Sequence, residues 1–164
     1  MEYEITIYTD GAASGNPGKG GYGVVLISGK YRLEKSEGFN LTTNNRMELL
    51  AVITGLEALK IPGSKVVIYT DSKYVADSVE KGWVFQWESK GFKKKKNCDL
   101  WVRFLKAYRK HHVRFVWIKG HADNPENELC DRLAVEASRG VNLSEDTGYN
   151  PDEASDDLFN KTVI

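Results

Sequence analysis

Cysteine is scarce in this chain. Among 164 residues only Cys98 and Cys130 carry a thiol, and they do not form a CxxC pair, so a disulfide framework is not expected and both read as free thiols, Cys130 in the core. No group of Cys and His is spaced for zinc. No apolar run approaches the roughly 18 residues of a membrane span, and the opening MEYEITIY lacks the pattern of a secretion leader. The expectation is a cytoplasmic, monomeric protein that does not enter a membrane. The glycine-rich SGNPGKGG does not complete a P-loop. Gly20 stands where Ser or Thr is required, and position 13, five before Gly18, is alanine. No G-x-G-x-x-G opens a helix either. A turn whose amides can meet a sugar or phosphate is what remains.

Net charge is also lacking, but the balance hides a division. Lys+Arg and Asp+Glu both number 23. Residues 141–164 hold six acids, Glu145, Asp146, Asp152, Glu153, Asp156 and Asp157, against the single base Lys161. The rest of the chain is therefore basic. Five of its lysines crowd into SKGFKKKK, residues 89–96. A basic body with an acidic tail points to a polyanionic partner, although a lysine run by itself also suits a solvated loop.

The pattern of the chain predicts one α/β domain over residues 1–140 and an acidic, flexible tail over 141–164. YEITIYTDG reads as a buried strand, GNPGKGGYG as a turn region, and residues 22–39 as a hairpin turning near Ser28 and Gly29. NNRMELLAVITGLEALK carries Leu49, Val52, Ile53, Leu56 and Leu59 at helical spacing, stopped by Pro62-Gly63. KVVIYTD is the next strand. Ser72 can cap a short helix through Val79, and WVFQWES fits another. Asp99 can cap LWVRFLKAYRKHH, which would leave His111 and His112 at a helix end. VRFVWI is the last strand. Asn124, Pro125 and Gly140 bracket the last helix.

The tripeptide YTD closes two of these strands, at Asp10 and at Asp71. A strand–helix–strand crossover makes the second strand parallel to an earlier one. If the two are neighbours, both aspartates sit at carboxyl ends about 4.8 Å apart, where open α/β sheets bind ligands. Two such carboxylates repel unless a cation lies between them. Glu48, near the start of the first long helix, forms an Asn-x-x-Glu capping box with Asn45 or joins these acids. Asp131, in the second turn of the last helix, sits among Leu129, Cys130, Leu133 and Ala134 and needs a partner. Oxygen donors of this kind favour Mg²⁺ or Mn²⁺. His121 stands in a polar loop just before that helix.

The segments YTDGAASGNPGKGGYG, TTNNRMELLAV, YTDSKYV and IKGHADNPENELCDRLA, in this order, resemble bacterial-type ribonuclease HI from about Ile5 to Gly140. The resemblance implies the ribonuclease H-like fold: a five-stranded mixed sheet, three antiparallel strands then two parallel, with helices on both faces. It implies an endoribonuclease that cuts the RNA strand of RNA–DNA hybrids with little sequence preference, leaving 5′-phosphate and 3′-hydroxyl ends. Two Mg²⁺ ions, replaceable by Mn²⁺, would be held by Asp10, Glu48, Asp71 and Asp131. His121 matches the loop histidine of the later part of the cycle. Asn16, Asn44 and Asn45 match contacts to the hybrid, chiefly the RNA strand. Thr43 and Asn97 match a grip on a DNA-strand phosphate. Trp83, Trp87 and Lys93, Lys94, Lys95 and Lys96 match a basic protrusion lining a DNA channel, although the tryptophans also fit a core at i,i+4 spacing. Lys73 stands where the family often has glutamine beside the scissile region, Ala13 where cysteine is frequent, and Leu41 where an arginine is found. A catalytically silent hybrid-binding module, or a nuclease or integrase of the same fold, are the alternatives. The terminal SDDLFN faintly resembles sliding-clamp-binding peptides through Leu158 and Phe159.

Overall fold

The computed structural model describes residues 4–120 and 124–152. His121, Leu158 and Phe159 lie outside the described residues. The elements run β1 (Ile5–Ser14), β2 (Gly18–Ser28), β3 (Tyr31–Thr42), α1 (Asn44–Glu57), β4 (Lys65–Thr70), α2 (Lys73–Glu80), α3 (Trp83–Ser89), α4 (Cys98–Tyr108), β5 (His112–Trp117) and α5 (Pro125–Ser138). The sheet order is β3-β2-β1-β4-β5. β1, β2 and β3 pair antiparallel, and β4 and β5 join them parallel. The expected five-stranded mixed sheet is present. No helix among the described residues is long and apolar enough to cross a membrane.

β1 and β2 are longer than the sequence pattern suggests. The stretch Gly15–Gly23 was expected as turn, but only its first three residues turn, and β2 begins at Gly18. Two of the remaining glycines, Gly21 and Gly23, serve a helix rather than a bend. A Cβ on Gly21 would stand 2.5 Å from the carbonyl oxygen of Ala134, and one on Gly23 would stand 2.3 Å from that of Cys130. α5 therefore lies directly on the β2 backbone. α1 covers the opposite face, where Ile7, Met47, Leu49, Val52, Ile53, Leu56 and Ile68 are wholly or almost wholly buried. Each such side chain contributes about 1.5–3 kcal/mol by leaving water.

Two helix starts differ from expectation. Thr43, not Asn45, caps α1, with its side-chain oxygen accepting the Arg46 N–H at 3.3 Å. The Asn44 N–H goes to Oδ1 of Asn16 at 3.1 Å. With these first-turn donors engaged, no capping box forms and Glu48 sits two residues deeper, fifth in the helix. α4 begins at Cys98, after Asn97 in a left-handed conformation, rather than at an Asp99 cap. Asp99 instead forms a two-pronged ion pair with Arg46, at 2.9 and 2.7 Å. The helix also ends at Tyr108, short of His112. His112 pairs with Lys65 as the first residue of β5, and Nδ1 of His111 accepts the Ser64 N–H at 3.3 Å.

The segment 141–152 was expected to be flexible with the rest of the tail, but it is fastened to the body. Ser144 donates its N–H to Gly38 at 2.8 Å and accepts from Asn40 at 3.0 Å. Asp146 receives Arg46 Nε at 2.7 Å and the Thr42 hydroxyl at 2.7 Å. The cause is Arg46, whose side chain is 1 % exposed. A guanidinium buried that deeply requires anions around it.

Candidate active site

The first half of the site is set by strand register. β1 and β4 pair in parallel from Ile5/Val66 to Tyr8/Tyr69. The last pair stacks its rings, with centroids 5.1 Å apart. Beyond it the two strands part. Asp10 and Asp71 are the second residues past this pair on their respective strands, so both flank the mouth where the sheet opens. Asp71 follows the end of β4, but Asp10 is not at a strand end. β1 continues to Ser14 because β2 goes on pairing with it, Asp10 opposite Gly23.

Glu48 enters from α1. A Cβ on Gly11 would lie 2.3 Å from the backbone nitrogen of Glu48, so only glycine lets the helix come this close to β1. The Gly11 N–H then donates to both Glu48 Oε1, at 2.8 Å, and Asp10 Oδ1, at 2.9 Å. Asp131 comes from α5. It lines one cavity of about 310 Å³ with Asp10, Glu48, Asp71, Asn44, Asn127 and Glu128.

The electrostatics are those of crowded acids. Burial, then the charges of Asp71 and Asp131, push the Asp10 carboxyl up to about 8, although the Gly11 N–H pulls the other way. Burial, then Asp10 and Asp71, push Glu48 well above the ordinary carboxylate range. Oxygens of Asp10, Glu48 and Asp71 lie within 4.8 Å of one another. Oδ1 of Asp71 is buried with no hydrogen-bond partner in the described structure. A divalent cation answers both conditions: it neutralises the repulsion and gives the orphaned oxygen a partner. An all-carboxylate donor set suits a hard ion. Asp131 faces the same cavity from outside that group of three.

The other expected residues divide by setting. Asn44 and Asn45 are exposed on the first turn of α1, next to exposed Asn16. Lys73 places Nζ 4.8 Å above the Trp117 ring, and Trp117 donates its indole N–H to the carbonyl of Asp71 at 2.9 Å. Lys73 is thereby held beside the acids. Asn97 is buried, with its amide accepting from Arg46 at 3.3 Å and donating to the Tyr74 hydroxyl at 3.1 Å. Trp87 is buried edge-on to Trp101, and Trp83 is half-buried under Lys81. Lys95 lies over the Trp87 ring at 5.0 Å. Lys93 and Lys94 are exposed and Lys96 is half-buried. Phe92, Lys94 and Asn97 all have positive φ, which folds this loop tightly. Asn127 was not expected in the site. Its Oδ1 is buried without a hydrogen-bond partner among the described residues, and the signal that marks it is its place four residues before Asp131, on the same face of α5.

Comparison with known proteins agrees with this fold. The family model described as RNase H matches residues 2–139. A protein from Trichodesmium erythraeum named Ribonuclease H is 56% identical over 151 residues, covering 89% of this chain and 96% of the relative. One from Synechocystis named Ribonuclease HI is 48% identical over 151 residues, covering 88% and 94%. Among solved structures, LC11-RNase H1 in complex with RNA/DNA hybrid superposes with a TM-score of 0.60 at 28% identity, over 81% of this chain and 95% of that one.

Proposed function

This chain belongs to the RNase H family, and from that premise we propose how its residues cut an RNA–DNA hybrid. It is a ribonuclease H, an endonuclease acting on the RNA strand of the hybrid. The carrying observation is the cluster of Asp10, Glu48 and Asp71 with Asp131 in the same cavity.

Asp10, Glu48, Asp71 and Asp131 would hold two divalent ions, Mg²⁺ by the hardness of the donors, with Mn²⁺ as a substitute. When bound, the ions supply Lewis acidity toward the scissile phosphate and the leaving oxygen, and ease deprotonation of the attacking water. The chain supplies the rest. Gly11 orients two of the acids through one N–H. Asn16, linked to the start of α1, and Asn44 and Asn45 beside it, present amides to the 2′-hydroxyls that distinguish RNA from DNA. Lys73, held over Trp117, meets a phosphate near the cut. Thr43 and Asn97 engage a phosphate of the DNA strand, and Trp83 and Lys93–Lys96 carry that strand onward, while Trp87, packed in the core, supports Lys95 from beneath. His121 assists the departure of product, which leaves with 5′-phosphate and 3′-hydroxyl ends. Contacts of this kind carry no direct base reading, so sequence preference is weak.

The test is an end-labelled hybrid with Mg²⁺, with Mn²⁺ and with EDTA, beside double-stranded RNA and DNA. Cleavage of the hybrid's RNA strand alone, dependent on metal and lost in Asp10→Asn, is expected. Cleavage that survives EDTA or Asp10→Asn would reject the mechanism. Kinase and ligase treatment of the products reads the ends.

A further inference from the structure

α5 carries Asn127, Asp131, Val135 and Arg139 at four-residue intervals, Arg139 being its last cap. Asn127 and Asp131 line the acid cavity. Val135 and Arg139 line a second pocket of about 450 Å³. Ala12 lines both, so the two form one groove along β1 and α5. Between Asp131 and Arg139 the helix rises about 12 Å.

The charge changes sign along this groove. The first cavity holds Asp10, Glu48, Asp71, Glu128 and Asp131. The second has Lys19 and Arg139 and no acid among the described residues of its lining. Arg32, Arg46, Arg103 and Arg109 each hold a carboxylate, whereas neither Lys19 nor Arg139 pairs with an acid among the described residues. The floor is Ala12, Ala13 and Ser14, small enough for a polymer backbone to lie close. With Val135 the only large apolar residue among the described residues of the lining, a greasy ligand has little to bury against. A chain of phosphates with one member over the acids carries its neighbours outward, and the cationic end of the groove suits one of them.

We propose that Lys19 and Arg139 form a second phosphate subsite, which takes a backbone phosphate of the RNA strand a few linkages from the one cut. This rests on the ribonuclease reading above. An arginine at a helix C-terminus can also serve only the helix dipole, and the experiment separates the two roles.

Hybrids with a single cleavage site and one neutral methylphosphonate linkage, moved stepwise along the RNA strand on both sides of that site, are given to the wild type and to the Lys19→Gln, Arg139→Gln double variant. The wild type should show a KM increase of about tenfold at one linkage away from the cut. The double variant should lose that linkage-specific penalty. On the unmodified hybrid its KM should be higher by a similar factor, with the slope of log affinity against log salt shallower by about one and an unchanged melting temperature. A double variant with the wild-type linkage profile, KM and salt slope would overturn the subsite, as would a defect confined to a lowered melting temperature. A wild type that leaves the unmodified hybrid uncut would instead remove the reading on which the subsite rests.

Discussion

Glu48 and Asp10 share a single backbone proton: the N–H of Gly11 reaches Oε1 of one at 2.8 Å and Oδ1 of the other at 2.9 Å. The two acids come from a helix and a strand that local pattern does not connect. Their common donor fixes them as a unit before any metal arrives, so the carboxylates lose little further freedom on binding one. It also leaves their charges largely unanswered.

Glu48→Gln separates these two effects. The amide oxygen can still accept from Gly11, and the buried charge is gone. Cleavage should fall roughly a hundredfold or more. The metal-free protein should melt higher than the wild type, and the rise in melting temperature on adding Mg²⁺ should shrink. A variant that cuts hybrid at the wild-type rate, or one that melts lower in EDTA, would contradict this account of Glu48.

Acidity makes a second prediction. In the folded, metal-free chain the Asp10 carboxyl keeps its proton up to about pH 8, against an ordinary value of 3.8. Between those values the folded state binds more protons than the unfolded state. Stability must then fall as pH rises through this window and level off above it. Melting in EDTA from pH 5 to pH 9 should show the decline. Asp10→Asn should make it shallower, Glu48 keeping a share of it, and saturating Mg²⁺, which takes the place of the protons, should flatten it. A melting temperature that climbs with pH in EDTA would carry the opposite sign and refute the assignment.

Arg46 links α1 to the end of the described chain. Its guanidinium spans Asp99 and Asp146 while almost wholly buried. Removing one partner of a buried pair costs about 3–5 kcal/mol. Because Asp99 keeps two of the nitrogens, Asp146→Ala should fall at the lower end of that range. Asp99 is 42% exposed, so Asp99→Ala should cost nearer 1 kcal/mol. Urea unfolding measures both. A chain ended after residue 143 should lose at least as much as Asp146→Ala. Wild-type stability of both would show that Arg46 needs no anion from this segment.

How far sequence carried depends on the range of the cause. The repeated YTD was legible because strand alternation and a terminal acid are local signals, and the parallel crossover then places Asp10 beside Asp71. Helical spacing marked α1 and α5, and with them the elements bearing Glu48 and Asp131. The capping box at Asn45 and Glu48 failed because Thr43 stands two residues earlier and supplies the cap itself, and because the real partner of Glu48 is a backbone N–H 37 residues away. Asp146 read as one more acid of a tail, since nothing near it in the chain reveals a buried arginine 100 residues back. Glycines that clear space for a helix look, in sequence, like glycines that make turns. Asn127 was legible in principle, from its four-residue offset to Asp131.

Those glycines give the last prediction. Gly23 is paired with Asp10 across β1 and β2 and lies under α5, where a Cβ would meet the Cys130 carbonyl oxygen at 2.3 Å and the Cβ of Leu133 at 2.8 Å. Backbone cannot give way as a side-chain tip can, so Gly23→Ala must lift α5 from the sheet. Cys130 and Asp131 are neighbours on that helix, and the displacement moves the fourth acid away from the other three. Stability should fall by about 1–3 kcal/mol, as overpacking does, and kcat should fall with it, while KM for the hybrid changes less. Gly29→Ala is the matched control. Its Cβ would meet nothing within 4 Å, but its φ of +60° disfavours a side chain, at about 1–2 kcal/mol. The two variants should thus lose comparable stability, and only Gly23→Ala should lose turnover. If both were equally active at a temperature where both are folded, the close approach of α5 to β2 would not be what positions Asp131.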